Sequence, residues 1–381
     1  MKIIHLSDLH LGKMLYDFSL LEDQAYILQQ ILAIVDEQAP DAVLISGDVY
    51  DRSIAPVEAL RLFEDFLIQL AHRRVQVYVI GGNHDSADRL SFGAPLMEQT
   101  GVHITGNYEG RVAHWTLFDE HGAVTFYLLP FVKPLQVRRF FPDEAIESWT
   151  DALRAVLNAA SPDPAHRNVL LAHQFVTGAV RSDSEEISVG GADNVDAGVF
   201  DAFDYVALGH IHAPQSVARP EVRYCGTPLK YSFSEVDQQK SVTVVELGEK
   251  GTIDIRTVPL TPKRELRELR GTYLELSSRA FYEELSREDY YRIILTDEED
   301  PIDALAKLRL IYPRLMRLDY DNRRTRAQAD FSDMEKAPEL SPPELFEELY
   351  RMQNGADFSP KQREYTRATM EEIWRAEYET C

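Results

Sequence analysis

Val75-Gln-Val-Tyr-Val-Ile-Gly-Gly-Asn-His-Asp85 is the stretch on which the reading of the chain turns. β-Branched and aromatic residues take every position of 75–80 except Gln76, which predicts a buried strand, and Gly81 and Gly82 stop it abruptly. A glycine pair lets the backbone turn sharply and present Asn83 and His84 together at the carboxyl end of the strand, where α/β sheets hold ligands. Taken alone, these residues are also a plain Gly-Gly turn carrying polar side chains. The flanking sequence repeats the arrangement.

Upstream, a strand over residues 1–6 runs into Ser7-Asp8-Leu9-His10, and a second over 41–46 runs into Gly47-Asp48-Val49-Tyr50-Asp51. Between them, residues 22–38 have helical apolar spacing at Ile27, Leu28, Ile31, Ile34 and Val35, ended by Pro40. Pro56 opens a further helix with Leu60, Phe63, Leu67 and Leu70 on one face. Strands and helices alternating at these lengths predict a mostly parallel sheet with helices packed on it. Downstream, strands are expected at 124–129, 168–172 and 204–208, the last two delivering His173 and Gly209-His210-Ile211-His212. A helix is expected at 145–159, and strands at 222–224 and 241–247 as an antiparallel continuation. The acidic, Ser-rich residues 181–191 predict a surface loop near the site.

A chain of 381 residues with 44% hydrophobic residues buries a sizeable core and suggests two or three domains. The first ten residues lack the pattern of a signal peptide or membrane span, so a cytoplasmic protein without membrane contact is expected. Only Cys225 and Cys381 are present, so a disulfide framework and a zinc–thiolate cluster are both excluded, and any metal must use His, Asp and Asn. The net charge of −23 argues against gripping nucleic acid by bulk electrostatics. Bound divalent cations offset acidic clusters, which leaves phosphate engagement through metals, or through a partner's basic surface, open.

Composition shifts divide the chain into a main domain at 1–260, a small α+β domain at 261–326, a linker at 327–341 and a helical hairpin at 342–381. In the small domain, strands are expected at 273–276, 290–295 and 315–320, with a helix over 301–311 capped by Asp300. Arg314, Arg317, Arg323, Arg324 and Arg326 make its most basic end, either a solvated face or a DNA-backbone contact. In the hairpin, Ser359 and Pro360 restart the helix, and Leu345, Phe346, Leu349, Tyr350, Met370, Ile373 and Trp374 are more apolar surface than a hairpin buries alone. Docking on a partner or back on this chain accounts for it.

Collected, the strand-end residues are Asp8, His10, Asp48, Asn83, His84, His173, His210 and His212. His5, His72, His103, His114, His121 and His166 are read as ordinary polar residues. Eight such groups at the ends of five strands of one sheet suit hard to borderline divalent metals such as manganese. Two ions sharing one carboxylate would activate a water and stabilise the charge of an in-line phosphoryl displacement.

The motifs Asp8-Leu-His10, Gly47-Asp48, Gly82-Asn83-His84-Asp85, Ala172-His173 and Gly209-His210-Ile211-His212 resemble, in order, the five signatures of the calcineurin-like metallophosphoesterases. The resemblance implies a β-sandwich flanked by helices. It implies that Asp8, His10, Asp48 and His212 hold one metal and Asp48, Asn83, His173 and His210 the other, with Asp48 as bridge. His84 is then expected to stabilise the transition state or protonate the leaving oxygen.

A narrower resemblance, to bacterial nuclease subunits that pair with an SMC-like ATPase, covers nearly the whole chain. It rests on Ser182-Asp-Ser-Glu185, Gly190-Gly191, residues 205–208, Gly226-Thr-Pro-Leu-Lys-Tyr-Ser-Phe-Ser-Glu235, the small domain and the tail. It implies a manganese-dependent double-strand exonuclease and single-strand endonuclease acting at DNA ends and hairpins in repair, recombination and replication. It further implies a small domain that caps the site and touches DNA, a tail that binds the ATPase, and a homodimer within a heterotetramer. Lys13, Arg52, Arg89, Arg323 and Arg324 are the expected DNA contacts. The competing readings are a phosphoprotein phosphatase or small-molecule phosphodiesterase, and an inactive DNA-tethering clamp. Asp48-Val-Tyr-Asp51-Arg52 resembles the phosphatase motif, but Ser53 replaces its glycine and Asp85 its glutamate. The intact ligand set argues against the clamp.

Overall fold

Residues 2–105 alternate strand and helix: β1 (Lys2–Leu6), α1 (Leu21–Gln38), β2 (Ala42–Ser46), α2 (Val57–His72), β3 (Gln76–Ile80) and β4 (Val102–Thr105). These coordinates are a computed structural model that describes residues 1–185, 193–323, 325–326, 346–347, 350–351, 357–366 and 369–370. α1 buries the stripe Ile27, Leu28, Ile31, Leu32, Ile34 and Val35 and ends where Ala39 turns left-handed at φ 45°, just before Pro40. α2 buries Ala59, Phe63, Phe66, Leu67 and Leu70, while Leu60, expected on that face, is 38% exposed. The β1–β2, β2–β3 and β3–β4 pairings are parallel.

The chain then forms β5 (Ala113–Asp119), β6 (Gly122–Leu129), α3 (Trp149–Ala160), β7 (Arg167–His173), β8 (Tyr205–Gly209), β9 (Gln215–Val217), β10 (Arg219–Tyr224), β11 (Ser241–Leu247) and β12 (Ile253–Pro259). α3 starts four residues later than its apolar pattern suggests, because the Ser148 hydroxyl accepts the Asp151 N–H and the Asp151 carboxylate accepts the Ser148 N–H.

Two sheets result, not the single sheet expected from the periodicity. One runs β12-β11-β1-β2-β3-β4 and the other β9-β10-β8-β7-β6-β5. Ile3, Ala42, Leu44, Tyr78 and Ile80 of the first pack against Val124, Phe126, Leu128, Val169, Leu171, Tyr205 and Ala207 of the second, while α3 covers the far side of the second. This is the sandwich that the family resemblance implies. A strand buried on both faces reads the same whichever sheet holds it, so apolar runs alone do not count sheets. β11 pairs antiparallel to β1 as expected, but β10 lies parallel to β8.

The described residues divide into two compact units, residues 1–267 with 288–290, and 268–287 with the chain from 291 onward. A three-stranded sheet of β13 (Leu266–Gly271), β14 (Tyr290–Leu295) and β15 (Leu315–Tyr320) belongs largely to the second, with α4 (Ala304–Ile311) packed on it through Leu308. Residues 273–276, expected as a strand, form a helical turn, because Thr272 accepts the Glu275 N–H and caps it. α4 begins at Ala304 and not Pro301, since Asp303 sits left-handed at φ 54°. In the tail, the described residues 346–347, 350–351, 360–366 and 369–370 are helical, and Phe358 is buried beside Phe346 and Tyr350. Leu345, Leu349, Ile373 and Trp374 lie outside the described residues. Among the described residues no helix is long and apolar enough to cross a membrane.

Candidate metal centre

The five ligand-bearing strands come from both sheets, β1, β2 and β3 from one and β7 and β8 from the other. Their carboxyl ends meet at one end of the sandwich. Four expected ligands there stand in the left-handed region: Asp8 at φ 52°, His10 at 42°, Asp48 at 48° and His210 at 97°. Each such non-glycine residue costs roughly 1–3 kcal/mol, and strain gathered at one place is what a functional site retains. The turns hold because they bond to each other, Asp8 N–H to Gly47 O at 3.0 Å and His10 N–H to Asp48 O at 2.9 Å.

Asp48 is the hub. Its Oδ1 accepts the His84 N–H at 2.9 Å, and its Oδ2 lies 3.3 Å from His173 Nε2, 3.7 Å from His10 Nε2 and 3.9 Å from His84 Nε2. Asn83 Oδ1 sits 3.0 Å from both His173 Nε2 and His210 Nδ1. His10 Nε2 and His212 Nε2 face each other at 3.2 Å. The Asp8 carboxylate accepts the His210 N–H at 3.0 Å. Two close approaches leave no room for a Cβ: one on Gly47, which is also left-handed at φ 88°, would land on the His173 ring, and one on Gly82 on the Asp48 carboxylate.

All the expected ligands except Asn83 are buried, at 0–8% exposure. Burial holds His10 well below its ordinary value and His210 down at about 3, so both are neutral acceptors. Burial pushes Asp8 up to about 6. Burial also opposes charge on Asp48 and His173, but their mutual attraction wins, holding the carboxyl low and lifting the imidazole to about 9. Left to themselves, these acceptors recruit a proton to stand between them. The donor set of buried carboxylates, an amide oxygen and imidazoles, about 3 Å apart, is that of neighbouring ligands on first-row divalent ions. Asp8, His10 and His212, and likewise Asp8, Asp48 and His173, place donor atoms within 4.8 Å of one another.

His84 is less buried than the expected histidine ligands, its side chain 21% exposed, and its Nδ1 donates to Asp51 O at 2.9 Å, which leaves Nε2 3.9 Å from Asp48 Oδ2; with His10 and Asp48 it too places donor atoms within 4.8 Å of one another. Of the expected DNA contacts, Lys13 Nζ is engaged by Asp51 Oδ1 at 2.7 Å, and Arg52 is exposed at the same loop. Arg89 is exposed on the helical turn Ala87–Leu90, Arg323 is exposed beside Glu298, and Arg324 lies outside the described residues.

Residues that strand-end reasoning passed over support the centre. Asp85 accepts the N–H groups of Gly82, Val49 and Tyr50 at 2.9, 3.1 and 3.0 Å, tying the β2 and β3 turns together. Ser184 and Glu185 of the acidic loop reach His212, as does Lys240, whose Nζ donates to the His212 carbonyl. The one sequence signal for Asp85 was its place directly after Asn83-His84.

Residues 1–214 match the family profile described as "Calcineurin-like phosphoesterase". Residues 262–354 match the profile of the SbcD C-terminal region, described as "Type 5 capsule protein repressor C-terminal domain". The D subunit of the nuclease SbcCD from Staphylococcus epidermidis is 35% identical over 324 residues, covering 84% of this chain and 85% of that protein. Among solved structures, a dimetal phosphatase from Danio rerio has a TM-score of 0.40 at 12% identity, covering 69% of this chain and 98% of that one. TT1561 of Thermus thermophilus has a TM-score of 0.37 at 12% identity, with coverage of 67% and 98%. The motif order, the shared ligand end of two sheets, the two profile matches and the staphylococcal relative agree: the chain belongs to the calcineurin-like phosphoesterase family, in the branch represented by SbcD, the nuclease component of SbcCD.

Proposed function

We propose that the chain is the catalytic subunit of a DNA-processing nuclease, hydrolysing phosphodiester bonds at duplex ends, hairpins and single strands with two divalent ions, manganese foremost. It works with an SbcC-like SMC-family ATPase, as a homodimer within a heterotetramer in the cytoplasm. The observation that carries this reading is the convergence of ligand atoms from Asp8, His10, Asp48, Asn83, His173, His210 and His212 beside the half-buried His84 ring.

Asp8, His10, Asp48 and His212 would hold one ion and Asp48, Asn83, His173 and His210 the other. When bound, such a pair supplies Lewis acidity, lowering the pKa of a water and offsetting charge on the phosphoryl group. His84 acts at Nε2. With Nδ1–H fixed on Asp51 O, a ring protonated at both nitrogens donates its Nε2–H to a phosphoryl oxygen or passes that proton to the leaving oxygen, ending as the neutral Nδ1–H imidazole. The His10 ring stands edge-on to it at 4.9 Å and limits its swing. In this reading residues 261–326 contribute DNA contacts and residues 342–381 dock on the ATPase.

The test is cleavage of linear duplex and hairpin DNA by the purified chain, alone and with its ATPase, in manganese and in chelator, beside hydrolysis of a phosphopeptide. Manganese-dependent DNA cleavage is expected. Phosphopeptide hydrolysis without DNA cleavage would favour the phosphatase reading, and neither activity would favour the clamp.

A further inference from the structure

His212 is gripped at every polar atom except the one it would offer to a metal. Its N–H donates to Glu185 Oε1 at 2.7 Å, and its carbonyl accepts from Lys240 Nζ at 2.9 Å and from the Thr227 N–H at 3.1 Å. Its Nδ1 lies 2.6 Å from Ser184 Oγ. A serine hydroxyl has one proton, and Ser184 gives it to Glu235 Oε1 at 2.5 Å. Toward His212 the hydroxyl oxygen is left only as an acceptor, so Nδ1 carries the proton and Nε2 presents its lone pair toward His10 Nε2, 3.2 Å away.

The chain of bonds closes on itself. Glu235 Oε2 pairs with Lys240 Nζ at 2.6 Å, and Lys240 returns to the His212 carbonyl. Glu235 is fully buried and Lys240 is 4% exposed, so neither charge has solvent to turn to and each holds the other in place. Ser184 is thereby held in one hydrogen-bonding state. The other expected metal position is built differently: His173 takes its Nδ1–H partner from the Ser46 backbone carbonyl at 2.8 Å, which no side-chain substitution removes.

We propose that Ser184, locked by the Glu235–Lys240 pair, is a positioning residue that fixes the tautomer of His212 and so secures the ion held by Asp8, His10, Asp48 and His212, without a matching effect on the other ion. It is a carboxylate–histidine–metal relay with a hydroxyl inserted. The proposal rests on the two-metal reading above.

The test uses the full chain stripped of metal and titrated with manganese by calorimetry. Wild type should bind two ions. Ser184→Ala and Ser184→Val should weaken one by about 10–100-fold and leave the other unchanged. Ser184→Thr, which keeps the hydroxyl at the size of valine, should restore wild-type binding. Ser184 is half-buried on a loop, and the metal-free melting temperature of each variant should match wild type. Equal weakening of both ions, or none in the Ala and Val variants, overturns the proposal, as does a valine variant that binds like threonine. Fewer than two ions on wild type would instead overturn the two-metal reading itself.

Discussion

At the scale of single residues, exposure separates the histidines of the centre into two kinds. His84 has a 21% exposed side chain, while His10, His173, His210 and His212 are 0–8% exposed. On the proposed reading His84 meets only the substrate, and a residue of that kind is dispensable for the metals. His84→Gln is therefore expected to keep two manganese ions and to bind DNA while turnover falls by roughly 10²-fold or more. Wild-type turnover, or loss of an ion by metal analysis, would show the role misassigned. His5, an ordinary polar residue by sequence, carries a different consequence. It is fully buried, donating or accepting at Tyr205 OH over 2.9 Å, and burial, with Arg223 nearby, lowers its pKa to about 3. The unfolded chain takes up a proton there near pH 6.5 and the folded chain does not, so stability falls as pH drops below 6.5 toward 3. Between about pH 7.5 and pH 5 the loss is on the order of 2 kcal/mol. His5→Gln, which cannot titrate, should show that much less acid destabilisation by denaturant unfolding. Parallel pH profiles for the two proteins would refute the assignment.

At the scale of elements, the centre depends on turns whose contents must fit each other. Asp85 bonds the β2 and β3 turns together, and Gly82 lets β3's turn lie directly against Asp48. Gly82→Ala places a methyl group on the Asp48 carboxylate, so manganese affinity should drop by at least about tenfold while the chain still folds, at a cost near 1–3 kcal/mol. Unchanged affinity by calorimetry would mean that the turn yields. The expected ligands were legible as one group in the sequence because each lies at or within a few residues of a strand end, and position along the chain specifies position at the sheet end. The roles of their supports were not. Residues 181–191 read as a loop near the site, and Ser184 and Glu235 lie in stretches that carry the family resemblance, but the two meet His212 across 28 and 23 residues through side chains that no periodicity orders. The division into two sheets was hidden for a related reason, since Leu44 and Val169 look alike as buried strand residues though they belong to different sheets and pack against each other's layer. Residues 273–276 read as a strand because Tyr273, Leu274 and Leu276 fit either period over so short a run, and the Thr272 cap decides for the helical turn.

At the scale of the whole molecule, charge and length set what the chain does alone. Its net charge of −23 falls mostly on residues 1–260, with 36 acidic against 20 basic residues, so the sandwich is poorly suited to hold DNA by bulk attraction. Contacts made through bound metals and through a partner are the alternatives. None of the eight centre residues lies beyond His212, and the sandwich that carries them is complete by Pro259. A tail of some forty residues, 342–381, is below the size that usually folds by itself without metals, disulfides or a partner. Truncation after Arg326 should therefore leave metal content and manganese-dependent cleavage of a simple phosphodiester intact, while co-elution with the SbcC-like ATPase and ATP-stimulated cleavage of duplex ends disappear. Replacing Phe346 and Trp374 by Glu should weaken the complex in the same direction but less, by putting charge into an apolar seam. A truncated chain that still forms the complex in size-exclusion chromatography would assign the tail to this chain's own packing, since a segment that is not needed for the partner has only its own domain left to cover its apolar side chains.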